Sequence, residues 1–511
     1  MFPTRNQVLP SVAIALALLV TGEGRAFEVA DGAAARFQPT ACWTEAGGPA
    51  ATECGWLNVP ERWDRPGQRQ LKLPVVIFRP RDPDPHLAPV IHLAGGPGGS
   101  ALGRDGIHLA SWRNGVDDLF PGRTVVVFDQ RGIGLGTPRL ACPESDDPRI
   151  WWTLSEDRDR FEDVKTRLHG AIRACHERLI AEGHDLTAFN TRQSAADVEG
   201  LRRALGFDRV ILFGVSYGSR LALAVMRHHP VHIAAAVLDS VYPPQATWVE
   251  TIGWSYGATL ERLFAACAGH ERCAAAYPDL KARFLSVLDA LKRQPVVLEV
   301  ENLAGRAPLY ARIDHLTFLA ILRAEMYHTG RIHALAALIA GLAKGEHWRL
   351  KTHAENTFYN AYPKGYDIGM SLSVDCHDEA AGPPLSPSAY GRATPPYLMD
   401  FIEWALDLDL CPIWPAGSAA PVEATAVASD VPSLLLAGAL DASTPVELAE
   451  MAAETLPAGH LFVFPANAHE QIFSSPCARS VLAAFLENPR TRPNPACLGS
   501  LRQPSFLAVG G

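Results

Sequence analysis

The stretch Gly214-Val215-Ser216-Tyr217-Gly218 decides the fold of this chain. An apolar run, residues 210–213, precedes it, and residues 219–226 follow with the composition of a helix. A strand, a sharp turn with serine at its apex and a helix form a nucleophile elbow, which raises the serine hydroxyl above a sheet. Glycines are needed two residues before and after the serine, because side chains there would collide with the strand and the helix. A glycine-rich turn with an incidental serine is the alternative, but the flanking elements favour Ser216 as a nucleophile.

A serine hydroxyl becomes nucleophilic when a general base takes its proton and an acid orients that base. Chains with such an elbow place the serine first, then Asp or Glu, then His. The strand-like residues 433–437 lead to Asp441, and residues 461–464 lead to His469. We therefore predict Asp441 as the acid and His469 as the base. Asp239, which ends the strand after the elbow, is the rival acid, and a structural loop histidine is the alternative role for His469.

The oxyanion that forms during acyl transfer needs two backbone N–H donors. Tyr217, which follows the nucleophile, is predicted to supply one of them. The glycine-rich loop at residues 95–99 is predicted to supply the other. We assign Gly96, because a glycine lets the backbone approach a substrate closely. A phosphate-binding loop is the alternative, but the run has neither of the glycine spacings typical of such loops. The Asp-Gln-Arg-Gly turn at residues 129–132 is expected to brace neighbouring loops.

Apolar runs alternate with helical patterns along most of the chain. This alternation predicts a mostly parallel central sheet with helices on both faces. Together with the nucleophile elbow at Ser216, it predicts an α/β-hydrolase fold. The predicted strands are residues 75–78, 90–93, 125–128, 210–213, 235–238, 433–437 and 461–464, with a helix at residues 195–205.

The pattern changes in residues 244–425, which look mainly helical. Helix-like apolar spacing occurs there at residues 260–266, 280–291 and 316–342. We predict a helical cap, residues 244–425, inserted between two parts of the hydrolase core, residues 27–243 and 426–511.

The first 26 residues resemble a secretory signal peptide. Arg5 provides the positive start, residues 12–20 form a short apolar core, and Gly24 and Ala26 suit a cleavage site near Ala26. An uncleaved anchor is the alternative, but the apolar run is short for a bilayer. We expect a secreted or periplasmic protein with no stable membrane insertion after the signal is removed.

Ten cysteines agree with export, because an even number in an exported chain favours disulfides. Sequence does not fix their connectivity, but pairing neighbours in order gives 42–54, 142–175, 267–273, 376–411 and 477–497. A metal site is disfavoured, since no Cys/His cluster has zinc-ligand spacing. The chain has 46 basic and 55 acidic residues, and no basic run is long enough to predict nucleic-acid binding.

Three motifs in order, residues 95–98, 129–132 and 214–218, resemble the proline iminopeptidase branch of the α/β-hydrolases. The chain is more closely similar to secreted bacterial tripeptidyl aminopeptidases. Those proteins carry a similar signal peptide, several cysteines and a C-terminal region that supplies Asp and His. Two positions depart from the pattern. Ala94 stands where the proline iminopeptidase branch usually has His, and Ala468 stands where Gly often precedes the catalytic His. Neither change removes a member of the predicted triad.

The resemblance implies a serine aminopeptidase that releases residues or short peptides from substrates with a free N-terminus and requires no cofactor. Such an enzyme must hold the substrate's ammonium group, which an acidic residue of the cap does by charge-assisted hydrogen bonding. By analogy, Asp378 is the first candidate and Glu379 the second, with a solvated acidic turn beside a disulfide as the alternative. A carboxylesterase or lipase, and a non-catalytic binding protein on the same scaffold, are the rival functions. The oligomeric state is left open by the sequence.

Overall fold

The computed structural model describes ten stretches of the chain and two single residues. The described residues are 35–43, 51–65, 69–80, 82–103, 107–154, 157, 160–248, 251–301, 308–360, 366–379, 394–501 and 506. The signal peptide predicted for residues 1–26 lies outside them.

A nine-stranded sheet forms the centre of the described structure, and two further strands form a separate hairpin. The strands in chain order are β1 Arg36–Thr40, β2 Ala51–Pro60, β3 Gln70–Arg79, β4 Val90–Leu93, β5 Val125–Phe128, β6 Val210–Val215, β7 Ile233–Asp239, β8 Val296–Val300, β9 Leu309–Ile313, β10 Ser433–Gly438 and β11 Gly459–Phe464. Their order across the sheet is β1-β2-β3-β5-β4-β6-β7-β10-β11. Six neighbouring strands run parallel to one another, namely β5, β4, β6, β7, β10 and β11. Beside β5, the strands β3, β2 and β1 continue the sheet with antiparallel pairing. All seven predicted strands lie within these elements, and the α/β-hydrolase fold is confirmed.

The parallel strands are apolar along their whole length because both faces of the sheet are covered. Every residue of β4, β5, β6 and β10 is buried. Along β3, Val75 and Ile77 pack into one apolar cluster, while Val76 and Phe78 pack into another on the opposite face. Alternate side chains of a strand point to opposite faces, so each face of the sheet has its own core.

Helices cover the sheet and build the region between β7 and β10. The helices of the described residues are α1 Ile107–Leu119, α2 Arg160–Ala181, α3 Thr191–Ala204, α4 Tyr217–His228, α5 Tyr256–Gly269, α6 Glu271–Ala276, α7 Leu280–Arg293, α8 His315–Glu325, α9 Ile332–Leu342, α10 Leu350–Asn360, α11 Ile368–Asp378, α12 Met399–Asp407, α13 Val446–Ala453, α14 Gln471–Ser474 and α15 Pro476–Glu487. The helix predicted at residues 195–205 lies within α3 and its C-terminal cap. The apolar spacing at residues 316–342 belongs to two helices, α8 and α9, which a turn separates.

The region predicted as a cap is mainly helical in its described parts, with the hairpin β8–β9 as an addition that the sequence did not indicate. Its boundaries at residues 243/244 and 425/426 stay predictions. The apolar cluster of this region also contains Leu440, Ala442 and Ala468. These three residues belong to loops after β10 and β11, so the helical region packs directly on the loops that carry Asp441 and His469.

The structure forms all five disulfides that pairing in sequence order predicts, and these are Cys42–Cys54, Cys142–Cys175, Cys267–Cys273, Cys376–Cys411 and Cys477–Cys497. Among the helices of the described residues, none combines the length and the apolar character needed to cross a membrane.

Candidate active site

Ser216 lies at the turn between β6 and α4, with φ 56° and ψ −125°. A Cβ atom on Gly214 would overlap the carbonyl oxygen of Gly218, and one on Gly218 would overlap the carbonyl oxygen of Leu93 in β4. The helix therefore returns so close to the sheet that only glycine fits at either position. This close approach is the physical reason for the two glycines of the motif.

Asp441 and His469 meet beyond the ends of β10 and β11. His469 Nδ1 lies 2.6 Å from Asp441 Oδ2, and both side chains are fully buried. Backbone N–H groups of Ser443 and Thr444 donate to Asp441 Oδ1 at 2.7 and 3.0 Å. The Thr444 hydroxyl donates to Asp441 Oδ2 at 2.8 Å and lies 3.2 Å from His469 Nδ1. The carboxylate is thus fixed by three donors and faces the imidazole.

The pair is electrostatically suited to hold a proton on the imidazole. Burial lowers the pKa of His469, but the carboxylates of Asp441, Glu470 and Asp239 together raise it by more, so the net pKa lies above the usual value of 6.5. Burial raises the pKa of Asp441, but His469 and the backbone donors outweigh it and hold the pKa below the usual range. His469 Nε2, on the other edge of the ring, is buried and has no hydrogen-bond partner among the described residues.

Asp239, the rival acid, has a different set of partners. Its carboxylate accepts hydrogen bonds from the backbone N–H groups of Gln471 and Ile472 at 2.9 and 2.8 Å. Burial raises its pKa to about 7. Its backbone oxygen accepts from Ser216 N at 2.9 Å. Asp239 therefore joins the elbow to the chain just after His469, and Asp441 is the acid that contacts the imidazole.

The loop that carries Gly96 packs against the elbow. A Cβ atom on Gly95 would lie 3.0 Å from Ser216 Cβ, and Gly96 has a φ of +119°, which favours glycine. Tyr217 is the first residue of α4, where backbone N–H groups have no acceptor within the helix. The structure thus brings Gly96 and Tyr217 to the neighbourhood of Ser216, and their role as oxyanion donors stays a prediction.

The turn at residues 129–132 braces this loop, as expected. The buried Asp129 carboxylate accepts from Ser100 Oγ at 2.9 Å and from Leu102 N at 3.2 Å. Gln130 Nε2 donates to the carbonyl oxygen of Ala94 at 2.9 Å. The loop between Ala94 and Leu102 is therefore held at both ends by side chains that follow β5.

Ser216 opens onto two cavities. One, the cap cavity, has a volume of about 870 Å³, and its walls include residues of α11 and of the α8–α9 turn. The other, the loop cavity, has a volume of about 750 Å³ and lies between the glycine-rich loop, α1 and residues 470–479. Four residues line both cavities, namely Gly96, Ser216, Tyr327 and Tyr366. An acyl group on Ser216 would therefore have space on two sides.

The two acids chosen by analogy, Asp378 and Glu379, do not line either cavity at Ser216. Asp378 Oδ1 lies 2.9 Å from His377 Nδ1. Asp378 lines a separate cavity of about 450 Å³, whose walls include residues of α4. Glu379 accepts from Tyr242 Oη at 2.5 Å and from Trp248 N at 3.1 Å, and burial raises its pKa to about 7.

Asp375, one helical turn earlier, lines the cap cavity together with Ser216. Burial and the neighbouring Glu379 raise the pKa of its carboxyl well above the usual range. Ser371 Oγ donates to Asp375 Oδ2 at 3.3 Å. Sequence reasoning missed Asp375, although the i, i+3 spacing of Asp375 and Asp378 in one helix was the available signal.

A turn between α8 and α9 contacts the loop of His469, and sequence reasoning missed this turn as well. The Tyr327 ring lies 4.3 Å from the His469 ring between centroids. The Tyr327 carbonyl oxygen accepts from His469 N at 3.4 Å, and Thr329 Oγ1 accepts from Ala468 N at 2.9 Å. Thr329-Gly330 interrupts the apolar spacing of residues 316–342 and was the available sign of a break.

The fold and the turn at Ser216 are those of the class of α/β-hydrolases with a serine at the nucleophile elbow. Comparison with known families agrees. Residues 88–296 match the family described as "alpha/beta hydrolase fold", and residues 401–497 match the family described as "TAP-like protein". The chain therefore carries an α/β-hydrolase domain, which includes Ser216, and a TAP-like region, which includes Asp441 and His469.

The chain is also similar in sequence to several individual proteins. The chain is similar to serine protease Hip1 of Mycobacterium tuberculosis, at 29% identity over 211 residues, which is 40% of this chain and 38% of that protein. It is also similar to the tripeptidyl aminopeptidase of Streptomyces coelicolor, at 29% identity over 204 residues, 38% of this chain and 36% of that protein. The proline iminopeptidase of Xylella fastidiosa is 26% identical over 214 residues, 42% of this chain and 46% of that protein. The chain thus matches less than half the length of each of these relatives.

Proposed function

We propose that this protein is a secreted or periplasmic serine aminopeptidase that releases N-terminal residues or short peptides. The single observation that carries the proposal is the buried 2.6 Å contact between Asp441 and His469, whose other ring nitrogen, Nε2, has no hydrogen-bond partner among the described residues. The similarity to proteins named serine protease, tripeptidyl aminopeptidase and proline iminopeptidase supports the choice of peptide substrates. The five disulfides support a location outside the cytoplasm.

In the proposed reaction, Ser216 Oγ attacks the carbonyl carbon of the scissile peptide bond. His469 Nε2 takes the hydroxyl proton and then gives it to the leaving amine, while Asp441 orients the ring and stabilises its protonated form. The N–H groups of Gly96 and Tyr217 bind the oxyanion of the tetrahedral intermediate. Water then attacks the acyl-enzyme, again with His469 as the base, and releases the free acid.

The hydrogen bond from Ser216 to His469 is not formed before substrate binds in this proposal. Catalytic hydrogen bonds are often long in the free enzyme and tighten in the complex with substrate. Ser216 and Tyr327 line the same cavities, and the Tyr327 ring packs on His469. The proposal requires the Ser216 hydroxyl and His469 Nε2 to come within hydrogen-bond distance when substrate binds.

Asp375 replaces Asp378 and Glu379 as the proposed partner of the substrate's ammonium group. Its carboxyl lies in the wall of the cap cavity, whereas Asp378 faces another cavity and Glu379 is held by Tyr242 and Trp248. The raised pKa of Asp375 is compatible with this role, because an ammonium group at hydrogen-bond distance favours the ionised carboxylate. Two arginines, Arg323 and Arg331, line the same cavity. The positive charge of Arg331 is balanced by Glu325, whose carboxylate accepts a hydrogen bond from it at 3.0 Å.

The test compares substrates with a free and an acetylated N-terminus, namely alanyl, prolyl and trialanyl 4-nitroanilides. We expect the wild type to prefer the free N-terminus and Ser216→Ala to lose all activity and fluorophosphonate labelling. Asp375→Asn is expected to lower kcat/KM for free substrates by about 10- to 100-fold, the range of a hydrogen bond to a charged group. Acetylated substrates should change little.

Asp378→Asn is the matched control, since it removes an acid of the same helix that faces the other cavity. It should leave the preference for a free N-terminus unchanged. If the wild type cleaves acyl esters well and ignores every substrate with a free N-terminus, the enzyme is an esterase and the aminopeptidase proposal is wrong. If a fluorophosphonate does not label Ser216, the serine-hydrolase mechanism itself is wrong.

A further inference from the structure

We propose that the loop cavity binds the leaving part of the substrate and selects an aromatic or large apolar side chain in the residue that follows the cleaved bond. This inference rests on the proposed function, since it assigns the second side of the same Ser216 site. It concerns specificity toward the leaving group, which the resemblance to known families does not address.

The position of the loop cavity relative to the catalytic residues supports the assignment. A peptide whose carbonyl lies on Ser216 must extend in two directions, and the structure offers two cavities there. The cap cavity contains the carboxyl of Asp375, which suits the N-terminal side. Glu470, Ile472 and Phe473, from the segment directly after His469, line the loop cavity. Because His469 must reach the leaving nitrogen, the leaving group belongs on the side that this segment lines.

The walls of the loop cavity are rich in aromatic rings. Trp112 of α1 and Phe473 of α14 lie 6.0 Å apart between centroids in a T-shaped arrangement. His92 of β4 lies 4.6 Å from Trp112, and Phe213 lies 6.0 Å from Phe473. Burial lowers the pKa of His92 to about 3, so this imidazole is neutral and acts as part of an apolar wall. A further aromatic ring would continue this cluster.

Phe473 is the exposed member of the cluster. It retains 44% of its surface exposed, although most large apolar side chains of the described core are buried. Its backbone is held, since the N–H groups on the two preceding residues donate to Asp239. The ring is thus presented to the cavity by a fixed segment, which is the arrangement expected of a binding surface for an apolar group.

Charged groups at the edge of the loop cavity are mixed in sign. Glu470 and Asp118 are acidic, and Arg479 and His108 are basic or titratable. Arg479 donates to the carbonyl oxygen of Ile472 at 3.2 Å, and His108 Nδ1 lies 3.3 Å from the carbonyl oxygen of Ser100. Since neither sign dominates, the rings provide the selection, and polar groups at the edge can contact the peptide backbone.

The experiment measures kcat/KM for leaving groups that differ only in size. Trialanyl-phenylalanine amide is compared with trialanyl-glycine amide, and the benzyl ester of trialanine with its methyl ester. A prolyl series with the same leaving groups is measured in parallel. We expect the wild type to prefer phenylalanine over glycine and benzyl over methyl. Phe473→Ala should reduce both preferences by about 3- to 10-fold, the contribution expected of one aromatic contact, and Phe473→Leu should reduce them less.

Trp348→Ala is the matched control, because Trp348 is an aromatic residue of the cap that is 67% exposed and lies outside both cavities. It should keep wild-type rates and preferences. The proposal is overturned if the wild type shows no preference for the larger leaving group. It is also overturned if Phe473→Ala slows both members of a pair equally, since that would show an effect on His469 alone.

The two proposals fail in different ways. If the amides resist cleavage but the preference for the benzyl ester is present and depends on Phe473, the aminopeptidase proposal is wrong and the leaving-group site stands. If the amides are cleaved without preference, the leaving-group site is wrong and the aminopeptidase stands. If no amide and no ester is cleaved, both are wrong.

Discussion

Replacing Thr329 by valine tests whether the turn between α8 and α9 holds His469, the proposed catalytic base, in place. Ala468 is fully buried, and its N–H donates to Thr329 Oγ1 at 2.9 Å. Valine has nearly the same shape as threonine but lacks this acceptor. The next residue is His469, whose N–H donates to the Tyr327 carbonyl oxygen in the same turn. Thr329→Val therefore removes one of the two hydrogen bonds that join the described part of the cap to the histidine loop.

The magnitude follows from the two ways in which the loop can respond. If the loop stays in place, a buried N–H is left without a partner, which costs about 1–3 kcal/mol of stability. If the loop shifts so that the N–H reaches water, His469 moves relative to Ser216, and a displacement of about 1 Å costs roughly 100-fold in rate. We expect a lower unfolding midpoint, a fall in kcat of about 10- to 100-fold, or both, with KM changed little because Thr329 does not line the cap cavity.

The assay is steady-state hydrolysis of the best 4-nitroanilide, with the concentration of active sites determined by fluorophosphonate titration. Thermal unfolding is measured on the same preparations. Thr329→Ser keeps the hydroxyl and should restore kcat and the midpoint to within about 2-fold and a few degrees of the wild type. A Thr329→Val enzyme with wild-type kcat and wild-type unfolding would refute the idea that this turn positions His469.

Three further predictions concern the core of the site. Asp441 raises the pKa of His469, and only the neutral imidazole accepts a proton, so kcat/KM should fall on the acid side with a midpoint above pH 6.5. Asp441→Asn should move that midpoint to lower pH and lower kcat by about 10⁴-fold; a pH–rate profile checks both, and an unmoved midpoint would contradict the pairing. Ser216→Ala should retain the wild-type unfolding midpoint while losing all turnover, as measured by calorimetry and hydrolysis; residual turnover would exclude Ser216 as the nucleophile. Gly218→Ala should lose about 3 kcal/mol of stability or more, because its methyl group would overlap the backbone of β4. Gly170→Ala, with open space at its Cβ, should not be destabilised. Urea unfolding of both variants measures the two changes in the free energy of unfolding, and equal values would contradict the prediction.

The elements that could be predicted from the sequence are those specified by local patterns. Seven strands were found because each is a short apolar run bounded by turn residues, and parallel strands are buried on both faces. Asp441 and His469, which the structure brings into contact, could be paired because each lies in the loop after such a strand, and Ser216 lies at the turn after another. The catalytic roles of the three residues stay predictions. Their positions depend on strand order in the chain, which is readable, and not on packing between distant segments.

The residues that could not be predicted depend on packing between distant segments. Asp375 and Asp378 are three residues apart in α11, and only the docking of that helix decides which one lines the cavity at Ser216. Thr329 contacts Ala468 across a sequence separation of 139 residues. No local pattern encodes such a contact, because the hydroxyl of a threonine in a turn has many possible partners.

The hairpin β8–β9 was missed for a related reason. Its strands show alternating burial, with several exposed residues, and they pair with each other rather than with the central sheet. Two short amphipathic strands between helices give a weaker signal than the continuous apolar runs of a parallel sheet. The region predicted as a helical cap therefore contains two strands in addition to its helices.

The disulfide Cys376–Cys411 has a consequence for the order of events during biosynthesis. Both of its residues line the cap cavity, and the bond ties the helix that carries Asp375 to the chain directly after Leu408, Asp409 and Leu410, which also line that cavity. Such bonds form in oxidising compartments and not in the reducing cytoplasm. Under the proposed location outside the cytoplasm, a newly made chain would therefore complete this wall of the cap cavity only after export. Under the proposed function, this timing would delay peptide cleavage until the enzyme has left the compartment in which proteins are synthesised.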